Sequence, residues 1–183
     1  MTASVPIGSS SLMSEVLAAY PGAQRALFRG FHIGGCSSCG FQPTETLEDV
    51  CRRNQNLDVT EVLRHITQSH EADLKLLVSP ETLHAWLHDG SVAVRILDIR
   101  SREEFEAVAI AGSVFLSQNV MQELMGKWGR NDRVVIVDHA GKSVLDAAAY
   151  FQGHGFTQVF GLRGGIDAWA QEVDKTMPRY RVE

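Results

Sequence analysis

The sequence predicts two domains, a small all-α domain followed by an α/β domain in which helices cover both faces of a parallel sheet. The first observation is that residues 76–178 alternate short apolar runs with helical stretches. These runs are continuous rather than alternating in polarity, which is typical of strands buried on both faces. The second is that residues 11–72 have helical periodicity and contain all three cysteines. We therefore predict domains at 11–72 and 76–183, joined by a polar stretch near 69–76.

Length and charge exclude several classes of function. The chain has 183 residues and a formal net charge of −5. It is long enough to bury a core, and without a dense cluster of Lys or Arg we expect no nucleic-acid partner. No apolar run approaches ~18 residues, so we expect no membrane span. The first ten residues have neither a basic start nor an apolar segment, so we expect no signal peptide and a cytoplasmic protein.

Each predicted element has its own signal. In the first domain, Pro21 ends one helix and suits the first turn of the next. A third helix is predicted to start near Thr44 and a last one near Asp58, with Cys51 on an inward face. In the second domain, Ser79-Pro80-Glu81 is a helix start signal. The predicted strands are Val94–Leu97, Val134–Val137 and Val159–Leu162.

The cysteines form the first candidate site. Cys36 and Cys39 make a Cys-x-x-Cys loop flanked by glycines. This spacing brings two sulfurs close enough to form a disulfide or to share a metal. A helix N-terminus beside such a loop lowers the pKa of a thiol. The sequence therefore predicts thiol or metal chemistry on Cys36 and Cys39.

The residues leave several forms of that chemistry open. One is a redox disulfide between Cys36 and Cys39, with Cys51 as a resolving thiol or inert. Another is a metal site, in which the three thiolates hold an iron–sulfur cluster or bind zinc with His32 as fourth ligand. A persulfide on Cys36 or Cys39 is a third, and reduced cysteines that perform no chemistry are a fourth.

The second domain resembles a rhodanese domain over nearly its whole length. The resemblance rests on four segments in this order and spacing: Leu97-Asp98-Ile99-Arg100 with Glu103-Glu104-Phe105, then Ile110-Ala111-Gly112-Ser113, the loop after Val137, and Gly164-Gly165-Ile166-Asp167-Ala168-Trp169. Asp98 and Arg100 follow a predicted strand, and we expect them to fix the adjoining turn by charged hydrogen bonds. Trp169 is expected to pack the last helix on the sheet.

The resemblance implies that the catalytic position has changed. Rhodaneses carry a sulfane sulfur on a cysteine at the start of a loop whose N–H groups point inward and favour an anion. The same frame here reads Asp138-His139-Ala140-Gly141-Lys142-Ser143-Val144, so Asp138 stands where the family has its cysteine. An aspartate forms no persulfide, and its charge repels thiosulfate. We therefore expect no thiosulfate sulfurtransferase activity through this loop.

The first domain is similar to two short cysteine-containing domains. These are the redox-disulfide domain associated with hybrid-cluster proteins and the N-terminal domain of proteins that repair iron–sulfur centres. The similar residues are Val16-Leu17 with Tyr20-Pro21, Phe28 to Gly34, Leu47-Glu48-Asp49-Val50-Cys51 and Leu57-Asp58-Val59. The cysteine loop has a different register from the adjacent cysteine pair of the repair proteins, so their ligand roles do not transfer directly.

Together these observations predict a thiol redox, sulfur-carrier or iron–sulfur-related protein that acts through Cys36 and Cys39. The degenerate rhodanese domain then serves as a docking or regulatory module for a protein partner in sulfur, iron–sulfur or redox metabolism, or for a second copy of the chain. One alternative is a non-enzymatic interaction protein with a rhodanese fold. A second is a sulfurtransferase that uses an N-terminal cysteine persulfide.

Overall fold

The computed structural model describes residues 7–34, 40–90 and 93–180. The chain divides into two compact units, Met1–Leu74 and Lys75–Glu183. In its described part, the first unit contains the helices α1 (Met13–Ala19), α2 (Ala23–Phe31), α3 (Leu47–Arg53) and α4 (Val59–Leu74). An isolated antiparallel bridge joins Leu12 to Thr46. Since α4 continues through Leu74, most of the stretch predicted as a joint, 69–76, is the last part of a helix.

One apolar core holds the first unit together. Its fully buried side chains come from all four helices and from Ile33, which follows α2: Met13, Val16, Ala23, Ala26, Leu27, Ile33, Leu47, Val50, Cys51, Val62 and Ile66. Helix α3 begins three residues later than predicted from Thr44. The hydroxyl of Thr46 accepts the Asp49 N–H at 3.1 Å and so caps the helix.

The end of α2 leads the chain towards the cysteine loop. His32 has a left-handed conformation with φ 57°. Its N–H donates to the Phe28 carbonyl at 2.9 Å, and the next N–H, of Ile33, donates to the Leu27 carbonyl at 3.3 Å. This pattern closes the helix after Phe31.

The second unit is built on a parallel sheet, as predicted, and the sheet has five strands. Its strands are β1 (Leu77–Val78), β2 (Val94–Asp98), β3 (Ser113–Phe115), β4 (Arg133–Val137) and β5 (Val159–Leu162), in the spatial order β1-β5-β4-β2-β3. Its helices are α5 (Pro80–Asp89), α6 (Arg102–Ala107), α7 (Gln118–Lys127), α8 (Val144–Gly153) and α9 (Gly165–Glu172). All the paired strands are parallel.

Helices cover both faces of this sheet. Val135 and Val137 of β4 belong to a core that includes Leu83 of α5 and Trp169 of α9. Their neighbours Val134 and Ile136 belong to a second core, which includes Leu124 of α7 and Phe151 of α8. Burial on both sides explains why the strands are continuously apolar in the sequence. None of the helices in the described ranges is long and apolar enough to cross a membrane.

Candidate functional site

The loop between β4 and α8, residues 138–143, is built around a carboxylate. Asp138 follows the last residue of β4, and only 9% of its surface is exposed. One of its carboxylate oxygens, Oδ1, accepts a hydrogen bond from the Gly141 N–H. The other, Oδ2, accepts one from the Ser143 N–H at 2.7 Å. Since Ser143 is the N-cap of α8, the carboxylate also lies at the positive end of that helix.

The start of α9 holds the loop in place. The N–H of Ile166 donates to the Asp138 carbonyl at 2.9 Å, and that of Asp167 donates to the His139 carbonyl at 3.1 Å. Gly141 has φ +76°, and a Cβ there would lie 2.6 Å from the Gly164 nitrogen. Position 141 therefore requires glycine, both for its backbone angle and for its close contact with the backbone of Gly164.

A buried ion pair forms one wall beside the loop. The Arg100 guanidinium donates to the Asp98 carboxylate, with Nη2 to Oδ2 at 2.7 Å and Nε to Oδ1 at 3.0 Å. It also donates to the Val108 carbonyl at 2.7 Å. Burial alone would lower the pKa of Arg100, but its hydrogen bonds to Asp98 and Tyr180 raise it. The prediction that Asp98 and Arg100 fix this turn by charged hydrogen bonds is confirmed.

Tyr180 closes the same network from the C-terminal side. Its hydroxyl accepts from Nη1 of Arg100 at 2.6 Å and donates to Oε1 of Glu104 at 2.8 Å. Burial raises the pKa of Tyr180, and Glu104 adds to the shift while Arg100 opposes it. Burial would raise the pKa of Glu104 too, but hydrogen bonds from Ser101 and Tyr180 lower it. The phenol is therefore neutral and the carboxylate charged at neutral pH.

His139 lies between two cavities beside the loop. One, of about 370 Å³, is lined by His139, Asp167, Arg179 and Tyr180. The other, of about 620 Å³, is lined by Ile99, Arg100, Ser101, Glu104, Asp138, His139, Ala140, Lys142 and Ser143. The His139 ring lies 4.5 Å from the Tyr180 ring, centroid to centroid. Its Nδ1 atom is buried and has no hydrogen-bond partner among the described residues.

The sequence of the second unit identifies its family. The family model described as "Rhodanese-like domain" matches residues 79–172, which is about half of the chain and includes the loop and the Asp98–Arg100 turn. The chain belongs to the rhodanese-like domain family. At the level of this family, a sulfur-related function is supported.

Several curated proteins resemble this chain. The thiosulfate sulfurtransferase GlpE of Pseudomonas savastanoi pv. phaseolicola is 32% identical over 101 residues, which cover 55% of this chain and 92% of that protein. The putative sulfur carrier protein YrkF of Bacillus subtilis is 25% identical over 119 residues, or 62% of this chain and 64% of that protein. The adenylyltransferase and sulfurtransferase UBA4 of Debaryomyces hansenii is 22% identical over 178 residues, but only 39% of its length is covered.

A solved sulfurtransferase structure also resembles part of this chain. The human single-domain sulfurtransferase TSTD1 matches with a TM-score of 0.47 and 23% identity, over 53% of this chain and 96% of that one.

Of the three cysteines predicted to form the N-terminal site, the structure describes Cys51. Cys36 and Cys39 lie outside the described residues. Cys51 is a free cysteine with 1% of its surface exposed, in the core of the first unit. Burial raises the pKa of its thiol, and the charges of Asp58 and Glu48 add to the shift. This works against the thiolate that a metal ligand or a resolving cysteine must form.

His32 and the metal hypothesis stay predictions. His32 is exposed at the end of α2, with its ring 6.3 Å from that of Phe28. In the described part of the chain, no group of three or more His, Cys, Asp or Glu side chains could hold a metal ion. The predicted iron–sulfur or zinc ligands include Cys36 and Cys39, which lie outside the described residues, so this finding does not test the predicted metal site.

Three residues beside the loop that holds Asp138 were given no role from the sequence: Ser101, Glu104 and Tyr180. Ser101 and Glu104 form a capping box on α6, whose Ser-x-x-Glu spacing is visible in the sequence. It could have indicated a fixed carboxylate beside Arg100. Tyr180 is 80 residues from Arg100, and no local signal in the sequence links the two.

Proposed function

We propose that this chain is a sulfur-carrier or thiol redox protein whose chemistry takes place on Cys36 and Cys39, and whose rhodanese-like unit binds a protein partner. One observation carries the proposal. A carboxylate, that of Asp138, accepts the inward N–H groups of the loop between β4 and α8. The loop resembles the one in which rhodaneses place their catalytic cysteine, and this chain has no sulfur there.

The chemistry of the carboxylate supports this division of roles. A persulfide needs a thiolate to attack sulfur, and a carboxylate oxygen does not replace it. Two loop N–H groups that could stabilise an incoming anion already donate to Asp138. Its negative charge also repels anionic donors such as thiosulfate in a site with limited solvent. The loop is therefore expected to have no sulfur-transfer activity of its own.

The two remaining candidate thiols are then Cys36 and Cys39, because Cys51 is buried in an apolar core. In the carrier reaction, the thiolate of one of them attacks the outer sulfur of a donor persulfide. A new S–S bond forms, the S–S bond of the donor breaks, and the donor leaves as a thiolate. Attack on the outer sulfur by an acceptor thiolate reverses these steps, so no external oxidant is needed.

The relatives support a sulfur carrier more than they support an unrelated role. GlpE is described as a thiosulfate sulfurtransferase and YrkF as a putative sulfur carrier protein. We infer that this chain handles sulfur in a protein-bound form and meets a protein partner in sulfur or iron–sulfur metabolism. The competing function is that of a non-enzymatic interaction protein with a rhodanese fold.

Loading with sulfur tests the proposal. The reduced protein is incubated with cysteine persulfide, desalted, and measured by intact mass spectrometry and by cyanolysis of the bound sulfur. We expect an added sulfur that peptide mapping places on Cys36 or Cys39. It should be lost in the double variant Cys36→Ser/Cys39→Ser and kept in Cys51→Ala and Asp138→Ala.

Three outcomes would contradict the proposal. A wild-type protein whose Cys36 and Cys39 neither acquire sulfur nor change between thiol and disulfide would be the non-enzymatic interaction protein. Loss of the bound sulfur in Asp138→Ala would show that sulfur loading depends on the loop that holds Asp138. Robust conversion of thiosulfate and cyanide that depends on residues 138–143 would do the same.

Metal content distinguishes the iron–sulfur alternative. Iron and zinc are measured, together with an ultraviolet–visible spectrum, on protein purified without oxygen. The carrier proposal predicts metal-free, colourless protein. Iron with an absorption band from thiolate-to-iron charge transfer, lost in Cys36→Ser, would make the protein an iron–sulfur protein.

A further inference from the structure

The last described residues of the second unit cover the loop that holds Asp138. We call residues 174–180 the C-terminal clasp. It leaves the end of α9, where the Asp174 N–H donates to the Trp169 carbonyl at 3.0 Å. Met177 packs against one face of the sheet core. The clasp ends with Arg179 and Tyr180, which both line the cavity beside His139.

Tyr180 joins the clasp to one side of the loop. Its hydroxyl bridges Arg100 and Glu104 at 2.6 and 2.8 Å. These two residues are held rigidly, Arg100 by the buried carboxylate of Asp98 and Glu104 by the capping box of α6. The ring of Tyr180 lies against the ring of His139, the residue that follows Asp138.

Arg179 joins the clasp to the other side. It donates to both carboxylate oxygens of Asp167, from Nε at 2.7 Å and from Nη2 at 3.0 Å. The N–H of Asp167 in turn donates to the His139 carbonyl. Arg179 and Tyr180 thus attach to two different elements, and His139 lies between the attachment points.

The attachment is of a kind that opens easily. Within the described residues, no main-chain hydrogen bond joins residues 178–180 to the rest of the unit. The side chains of Arg179 and Asp167 are 53% and 26% exposed, so water competes for their ion pair. Segments held by a few side-chain contacts open at much lower free energy than the core strands.

The closed position also leaves one polar atom unsatisfied. Nδ1 of His139 is buried without a hydrogen-bond partner among the described residues. A buried polar atom without a partner destabilises the arrangement that buries it, and such atoms are rare in folded proteins. The Tyr180 ring lies against this imidazole, so we expect its departure to expose the nitrogen to water and relieve the cost.

We propose that the C-terminal clasp opens and closes over residues 138–143 and so controls whether a partner reaches His139 and the adjoining cavities. The closed state is the one described above. In the open state Tyr180 and Arg179 are released together, while the Asp98–Arg100 pair and the Asp138 loop stay in place. This proposal does not depend on sulfur chemistry at Cys36 and Cys39.

The accessibility of His139 tests the clasp. The full chain is treated with diethyl pyrocarbonate, and the rate of modification at His139 is measured by peptide mass spectrometry, with His88 as internal reference. Tyr180→Phe keeps the ring and removes both hydroxyl hydrogen bonds. Because two ordinary hydrogen bonds are lost, we expect the rate at His139 to rise by about tenfold, with the rate at His88 unchanged.

Matched variants make the result specific. Tyr150→Phe removes the hydroxyl of a half-exposed tyrosine on α8, and should leave the rate at His139 unchanged. Arg179→Ala should raise that rate, whereas Arg95→Ala, which breaks a similarly exposed pair with Asp132, should not. Hydrogen exchange of the amides of residues 138–143 should accelerate in the same two clasp variants.

The clasp proposal is overturned if diethyl pyrocarbonate modifies His139 at the wild-type rate in both the Tyr180→Phe and the Arg179→Ala variants. It is equally overturned if the rates at His139 and His88 rise together, because the effect is then not confined to the clasp. Either variant alone suffices for the test if the other fails to fold. Sulfur loading on Cys36 and Cys39 is measured separately, so failure here leaves the proposed function standing.

Discussion

The carboxylate of Asp138 accepts the N–H of Ser143 at 2.7 Å, and so the residue that follows β4 is hydrogen-bonded to the residue that caps α8. A second hydrogen bond, from Gly141, makes the loop between them a nest for an anion that the chain itself supplies. Because of this relationship, the same two donors are not available to an external anion. The first prediction follows from it.

Asp138→Ala should destabilise the second unit and create a vacant anion site. Removing the carboxylate leaves the N–H groups of Gly141 and Ser143 without their acceptors, and a buried unsatisfied group costs about 1–3 kcal/mol. Thermal unfolding of the variant should therefore begin at a lower temperature. An external oxyanion that occupies the nest restores stability by mass action. Sodium sulfate should raise the melting temperature of the variant more than that of the wild type at equal ionic strength.

The comparison with wild type is the control for this rescue, since its own carboxylate fills the nest. Equal stabilisation of both proteins by sulfate would mean that the salt acts on the whole surface, and the idea of a vacant site would be abandoned.

Gly141→Ala should be more damaging than Gly112→Ala. The two glycines have nearly the same backbone angle, with φ +76° and +79°. An alanine in this conformation costs about 1–2 kcal/mol at either position. At Gly141 a Cβ also meets the Gly164 backbone, whereas at Gly112 it meets open space. Chemical denaturation should show the larger loss for Gly141→Ala, and equal losses would show that the loop relaxes without cost.

Cys51 should resist alkylation in the folded protein. Burial raises its pKa, and only 1% of its surface is exposed, so little reactive thiolate is present and reagents do not reach it. Iodoacetamide at pH 8, followed by peptide mass spectrometry, should modify Cys51 far more slowly in native protein than in urea. Rapid modification of native protein would reopen the resolving and ligand roles that the sequence suggested for this residue.

The Arg179–Asp167 pair should contribute stability that acid removes. The hydrogen bond from Arg179 lowers the pKa of Asp167 in the folded state. As the pH falls towards the ordinary aspartate pKa of about 3.9, the unfolded chain binds the proton first. The contribution is thus complete above that pH and is lost as the pH falls through the lowered folded-state value.

Asp167→Asn makes this contribution measurable. The melting temperature of the variant should lie slightly below that of the wild type near pH 6, because a partly exposed pair contributes less than about 1 kcal/mol. The difference should shrink below about pH 4. If it is unchanged at low pH, the loss in the variant has another cause than the charge of Asp167.

Much of the second unit could be predicted because its signals are local. Each predicted strand, at 94–97, 134–137 and 159–162, coincides with an observed one to within a residue, since a strand covered on both faces must be apolar along its whole length. The inward position of Cys51 in α3 was also predicted, from helical periodicity, and is confirmed by its burial. The start of α3 was placed too early, because Thr46 rather than Thr44 supplies the capping hydroxyl.

The sequence by itself determined the alternation of strands and helices along the second unit, the loop that contains Gly141 and the presence of an aspartate at the start of that loop. These follow from side-chain periodicity and from residues within a few positions of one another. Only the tertiary structure decided that Tyr180 meets Arg100 and Glu104, that Arg179 meets Asp167, and that His139 is enclosed among them. Such contacts join residues up to 80 positions apart at the carboxyl edge of the sheet. A local pattern carries no information about them, because strand order and crossover geometry alone bring those segments together.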